Sequence, residues 1–217
     1  MKIVFLGDSL TWGGIGGRYL DEVERRLPDA DIVNAGAAGN TVLNLLARLE
    51  SDVLPAQPDR VFVMVGGNKA IAYAQPETRP YYQQAQNVPD GVLQPDAFAR
   101  AYRELLQRLQ LHYIQPMIGL PPIEYNPAVV QAMRDFNAQA ADVARAHNVP
   151  VLDLMAHFAP SDVPDRPPLT LKSINQAGNG DDAASDGDYT YTLDGVHLTD
   201  AAAAEMGKLI AAFIDEH

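Results

Sequence analysis

Lys2-Ile3-Val4-Phe5-Leu6-Gly7-Asp8-Ser9-Leu10-Thr11-Trp12-Gly13 opens the chain with an apolar run that passes directly into a glycine-flanked serine. Four apolar residues bounded by a glycine turn read as a strand buried on both faces. Short β-rich runs recur at Asp31–Asn34, Arg60–Val65, Tyr113–Gly119 and Val149–Leu152. Between them the apolar period lengthens. Tyr19, Leu20, Val23 and Leu27 share one face of a helix; Val42, Leu45, Leu46 and Leu49 share another, with Asn40 or Thr41 placed to cap it. Phe98, Tyr102, Leu105 and Leu109 make a third stripe, 128–146 reads as a long alanine-rich helix, and Met206, Leu209, Ile210 and Phe213 line a final one. Strands alternating with helices in this way predict an α/β fold, with about five parallel strands covered on both faces.

Two stretches interrupt the rhythm: residues 73–95, rich in Pro, Gln and Tyr, and residues 160–192, dense in Pro, Gly, Asn and Asp. Both are expected to be long loops of one domain spanning residues 1–217. Ligands of open α/β sheets bind beyond the carboxyl ends of the strands, so both stretches are expected to border one cleft.

The chain has 217 residues, with 16 basic against 28 acidic side chains and a formal charge of −12. Such a surface repels nucleic acid and anionic bilayers, which argues against either as primary partner. With no cysteine, disulfides, thiolate catalysis and Cys-ligated zinc are excluded. No transmembrane stretch is present, and Ile3-Val4-Phe5-Leu6 is too short for a signal segment, so the chain as given reads as cytoplasmic; a leader removed before Met1 would leave the same sequence.

Ser9 just beyond a strand can present its hydroxyl on an unhindered turn, although serine more often serves there as a turn or cap. Gly-Asp-Ser-Leu is not the Gly-x-Ser-x-Gly elbow, because Thr11 takes the second glycine position. Near the other end stands Asp194-Gly195-Val196-His197. At i and i+3 a carboxylate can reach its neighbour's imidazole and fix its tautomer, leaving the other nitrogen for a hydroxyl nucleophile. An oxyanion would need donors. The Ser9 amide, the Gly39 amide at the start of the second helix and the Asn68 side chain after the third strand are candidates. Each has an ordinary structural alternative, a turn or an Asx cap; the joint occurrence of all four blocks in chain order is what is specific.

These blocks, in this order, resemble the SGNH (GDSL-type) serine esterase family across nearly the whole chain. The resemblance implies a flavodoxin-like three-layer α/β/α sandwich and cofactor-free, metal-free ester hydrolysis. It implies Ser9 as nucleophile, His197 as general base with Asp194 behind it, and Gly39 and Asn68 as oxyanion donors. Pro121-Pro122 is similar to the family's proline-containing loop. One position departs: the family's third block reads Gly-x-Asn-Asp, and Lys69 stands where the Asp would be. Lys69 either sets a cation beside a substrate or snorkels to solvent, and the latter is expected. Trp12 and the 73–95 segment are expected to shape the substrate pocket.

The implied partner is a small-molecule ester with a short acyl group or a carbohydrate or aryl alcohol; the sequence does not fix its identity or the oligomeric state. Acyl transfer to an alcohol, or a lysophospholipase or thioesterase reaction, would use the same residues. A non-catalytic carbohydrate-binding relative is disfavoured by the intact Ser9, Asp194 and His197. A nucleotide binder is disfavoured because Tyr19 falls where Gly-x-Gly-x-x-Gly needs its last glycine. His112 and His147 read as helix C-terminal residues and His157 as structural. The group Asn179, Asp181, Asp182, Asp186 and Asp188 lacks calcium-loop spacing and reads as a solvated loop.

Overall fold

A computed structural model describes residues 1–158, 163–169 and 189–217. Five strands, β1 (Lys2–Gly7), β2 (Asp31–Gly36), β3 (Arg60–Met64), β4 (Gln115–Leu120) and β5 (Val151–Asp153), form one all-parallel sheet in the order β2-β1-β3-β4-β5. Side chains alternate across it, as a two-faced strand requires. Val4 and Leu6 of β1 and Val61 and Val63 of β3 enter one core with Val42, Leu45, Phe98 and Phe136. Ile3 and Phe5, Phe62 and Met64 enter the other with Tyr19, Leu20, Met206 and Ile210. The sheet is thus the middle layer of three.

The strand order reverses between β1 and β3, the switch point at which loops diverge and leave a crevice. Register brings these loops level: Gly7 pairs with Gly36 on one side and Met64 on the other. From this edge start α1 (Ser9–Trp12), which leads to α2 (Tyr19–Arg26), and α3 (Val42–Ala47), followed by α4 (Leu49–Asp52). From it also starts α5 (Gly67–Ala74). Further on come α6 (Arg79–Gln86), α7 (Pro95–Leu111), α8 (Pro127–Ala146), α9 (Leu154–His157) and α10 (Asp200–Glu216).

Three expectations need correction. Residues 73–95 are mostly helical: Pro76, Pro80, Pro89 and Pro95 sit in first turns, where a fixed φ and a missing N–H suit a helix start. β4 starts at Gln115 rather than Tyr113, because Tyr113 takes φ +59° in the turn that ends α7. The helix expected through Leu49 breaks at Arg48, which turns its guanidinium towards the sheet edge. Of the stretch 160–192, the described residues belong to no named helix or strand, and the acidic group Asn179–Asp188 lies outside the described residues. His112 and His147 follow the last turns of α7 and α8, as expected. No helix among the described residues is long and apolar enough to cross a membrane.

Candidate active site

Ser9 is the first residue of α1, where amide N–H groups lack intrahelical acceptors. Asp8 caps that turn, its carboxylate accepting from the Leu10 N–H at 3.1 Å. It is 2 % exposed, and burial pushes its carboxyl up to about 6 against the opposing pull of the Leu10 and Gly66 N–H groups and of nearby His197. Across the crevice, the chain before α10 closes on itself: the Leu193 N–H donates to the His197 carbonyl at 2.7 Å and the Thr199 N–H to the Tyr191 carbonyl at 3.0 Å. Gly195 at the tip has φ +88°, and a Cβ there would lie 2.8 Å from the Tyr125 Cα, so both backbone shape and space exclude a side chain.

This turn points His197 at the serine. Its Nε2 lies 3.1 Å from Ser9 Oγ, and its Nδ1 lies 2.6 Å from Asp194 Oδ2. The other carboxylate oxygen, Asp194 Oδ1, accepts the backbone N–H groups of Val196 (2.9 Å) and His197 (2.7 Å). Burial alone would raise the Asp194 pKa. The His197 hydrogen bond and charge, with the two amides, outweigh it and hold the carboxyl below its ordinary value. Ser9 and His197, 188 positions apart, thus join Asp194 in a hydroxyl–imidazole–carboxylate relay with each partner within hydrogen-bond reach.

Gly39 and Asn68 come to the same edge. Gly39 adopts φ +77° with Tyr81 and Gln86 packed against it, where a Cβ would lie 2.5 Å from Gln86 Nε2. Asn68 lies in the first turn of α5. Its Oδ1 accepts the Tyr82 hydroxyl at 3.1 Å and its Nδ2 donates to the Asn40 carbonyl at 3.1 Å. Each amide NH₂ carries two protons, so the bond to Asn40 uses one of the two on Asn68 Nδ2. The Asn40 side chain accepts from Arg48 Nε at 2.8 Å, and Arg48 Nη2 donates to the Gly7 carbonyl at 2.9 Å. One chain of hydrogen bonds therefore joins the ends of β1, the β2–α3 loop and α5. From the 73–95 segment, buried Tyr82 reaches Asn68, and Gln86 accepts from the Asn40 side chain at 3.3 Å.

Lys69 is a correction. It neither snorkels to solvent nor flanks Asn68: it is 2 % exposed, with Nζ 3.0 and 2.9 Å from the ring centres of Phe98 and Phe136. Successive helical residues project about 100° apart, so Asn68 facing the crevice turns Lys69 towards α7 and α8. Nζ has no hydrogen-bond partner, and burial holds the amine well below the ordinary lysine value. Two ring faces attract a cation by up to about 2 kcal/mol each, which offsets part of the several kcal/mol that desolvating an ammonium costs. Trp12, 40 % exposed, stands three residues after Ser9 on α1. No group of three His, Cys, Asp or Glu residues able to hold a metal ion occurs among the described residues.

Sequence reasoning missed Arg48, Tyr82 and Glu124. Arg48 sits at the break between α3 and α4 and Tyr82 within α6, with nothing in their neighbours to mark them. Glu124 carried a signal, a lone acid inside Pro121-Pro122-Ile123-Glu124-Tyr125. It is 3 % exposed and holds the segment before His197.

A family profile described as GDSL-like lipase/acylhydrolase matches residues 5–204. The chain belongs to this family. It has the α/β architecture of that family. An acetylxylan esterase from Geobacillus stearothermophilus is 38 % identical over 85 residues; that match spans 31 % of this chain and only 39 % of the relative. Among solved structures, the acetyl xylan esterase AlAXEase superposes with a TM-score of 0.69 at 22 % identity, covering 98 % of both chains. A lipase/acylhydrolase from Enterococcus faecalis superposes with a TM-score of 0.68 at 21 % identity, over 99 % of this chain and 95 % of the other.

Proposed function

We propose that this GDSL-type hydrolase cleaves short-acyl carboxylic esters, with acetyl groups on sugars the favoured substrates, through an acyl-enzyme on Ser9. The observation that carries the reading is the pair of contacts on one imidazole, 3.1 Å to Ser9 Oγ and 2.6 Å to Asp194. His197 Nε2 takes the Ser9 proton as Oγ bonds to the ester carbonyl carbon. Asp194, held below its ordinary pKa, keeps the proton on Nδ1 and stabilises the imidazolium. The tetrahedral oxyanion takes hydrogen bonds from the Ser9 and Gly39 amides and from Asn68 Nδ2. As the carbon–oxygen bond to the alcohol breaks, His197 returns the proton to the leaving oxygen. Water then attacks the acyl carbon as His197 accepts its proton; His197 returns that proton to Ser9 Oγ as the bond to the acyl carbon breaks, releasing the carboxylic acid and regenerating the Ser9 hydroxyl. Trp12 borders the acyl or alcohol side of the crevice.

The sugar-acetyl preference is supported by the acetylxylan esterases this chain resembles. The decisive experiment compares wild type and Ser9→Ala on p-nitrophenyl acetate and acetylated xylooligosaccharides. Members of such a relay act as a unit, so the variant should lose about 10⁶-fold in kcat with its fold retained. Undiminished turnover by folded Ser9→Ala would sink the assignment. A rate falling steeply from acetate to octanoate esters supports the short-acyl reading; the reverse trend removes it.

A further inference from the structure

Glu124 lies in the loop that leads from β4 to α8, and it is enclosed by protein. A buried carboxylate is costly unless its lone pairs are used. Here Oε2 accepts the Thr190 N–H at 3.0 Å, while Oε1 accepts the Tyr191 N–H at 2.9 Å, the Thr192 N–H at 2.7 Å and the Thr192 hydroxyl at 2.7 Å. Three consecutive amides thus converge on one side chain lying 66 to 68 residues away. The network continues beyond them. Thr192 Oγ1, having donated its proton to Glu124, accepts the Gly195 N–H at 2.9 Å. The Glu124 N–H itself donates to the Gly195 carbonyl at 2.9 Å. Gly195 is therefore gripped at both its N–H and its carbonyl, directly by the Glu124 backbone and through Thr192 by its side chain. It lies between Asp194 and His197 in the chain.

Apolar packing of Tyr191 beside Phe158 and of Val196 against the core also holds the segment, but regular secondary structure does not. From Thr190 to His197 it belongs to no named helix or strand, and the single bridge within it joins Thr192 to Leu198. Its Asp194–His197 contact is local and travels with the segment. The 3.1 Å separation between His197 and Ser9 is different, because it depends on where the whole turn is docked.

We propose that Glu124 is a positioning residue for the reaction: its carboxylate docks the Thr190–Gly195 turn so that His197 Nε2 meets Ser9 Oγ, without touching substrate. This role rests on the proposed Ser9 acyl-enzyme and deepens it. Thr192 is the relay. Glu124→Gln keeps the Oε1 acceptor but turns an NH₂ towards the Thr190 N–H, so it weakens the dock by one hydrogen bond. Glu124→Ala removes all four side-chain hydrogen bonds.

The test follows the rate at which a fluorophosphonate probe labels Ser9, a readout of nucleophile activation that needs no knowledge of the natural substrate. It is combined with kcat and KM on p-nitrophenyl acetate, measured well below each variant's unfolding temperature. A displacement of about 1 Å at a reacting group costs on the order of 10²-fold. Glu124→Ala should therefore label and turn over about 10²-fold more slowly. Glu124→Gln and Thr192→Val should each lose about tenfold, with KM nearly unchanged, the mark of a group that acts only on the transition state. Thr192→Ser keeps the hydroxyl and should match wild type. The double variant Glu124→Gln/Thr192→Val should lose less than the product of the two single losses, because both break the same dock.

If Glu124→Ala does not fold, Glu124→Gln and Thr192→Val carry the test. Wild-type labelling rates in these variants would overturn the proposal, and so would a raised KM at constant kcat or a failure of Thr192→Ser to restore the rate. Failure of the underlying reading looks different: wild type itself would not label at Ser9, and the positioning role would fall with it.

Discussion

The two halves of the proposed catalytic relay are built in opposite ways. Ser9 is set by local structure, since β1 ends at Gly7, Asp8 caps the next turn, and Ser9 is its first residue. The strand's register against β2 and β3 fixes that turn to the sheet. His197 belongs to a turn outside any named helix or strand, and its docking comes from contacts with residues distant in the chain, chiefly Glu124 and Tyr125. A nucleophile on a sheet edge is rigid because the sheet is; a base on an irregular turn is as well placed as its side-chain anchors make it. Perturbations that spare the backbone should therefore reach the base side more readily than the nucleophile side.

Asp194→Asn probes the base side at its centre. An amide cannot hold the tautomer as a carboxylate does, and the expected loss in kcat is about 10⁴-fold with KM little changed. Normal kcat in this variant would remove Asp194 from the relay. Asn68→Ala probes the nucleophile edge. Removing one oxyanion donor should lower kcat by about 10²–10³-fold, and the hydrogen bonds that Asn68 makes to Tyr82 and Asn40 disappear with it. A change confined to KM would show that Asn68 binds ground state and transition state alike.

The smallest effect on activity is expected one residue away. Lys69→Met should leave kcat unchanged, because the side chain faces Phe98 and Phe136 rather than the crevice. Its effect should be on stability. With the folded-state pKa lowered by burial, the unfolded chain binds a proton that the folded chain does not. That difference spans the window from the folded value up to the ordinary lysine value of about 10.4. Stability of the wild type should accordingly rise with pH across that window and be lower on its acid side. Lys69→Met should abolish this slope and raise stability at neutral pH by about 1–3 kcal/mol, the cost of a buried polar group without a hydrogen bond. Denaturant titrations of both proteins across the pH range measure it. A less stable Lys69→Met with the slope retained would mean that the ring faces hold the ammonium charged.

How much was legible differs along the same line. The helix stripes through Tyr19, Val42, Phe98 and Met206 lie where their periodicity puts them, because a helix buries what repeats every three to four residues. Residues 73–95 misled because prolines and glutamines suggest loops, whereas prolines in first turns open helices. Ser9, Asp194 and His197 carried a signal in their neighbours, and the structure brings them within hydrogen-bond reach. Glu124, Arg48 and Tyr82 act over separations of 66 to 68, 41 and 14 residues, respectively. No periodicity or local spacing encodes such pairings.

Local sequence is enough to specify the alternation of strands and helices and to mark Ser9, Asp194, His197, Gly39 and Asn68 as candidates for the proposed chemistry. Those features depend on local steric preference, hydrophobic period and the chemistry of single side chains. Packing of the whole chain is what turns Lys69 away into an aromatic core and brings one buried carboxylate onto the turn that carries His197. The physical reason is that burial and long-range hydrogen bonding are properties of the packed chain: whether a Lys or a Glu reaches water or a partner is settled by which elements close over it.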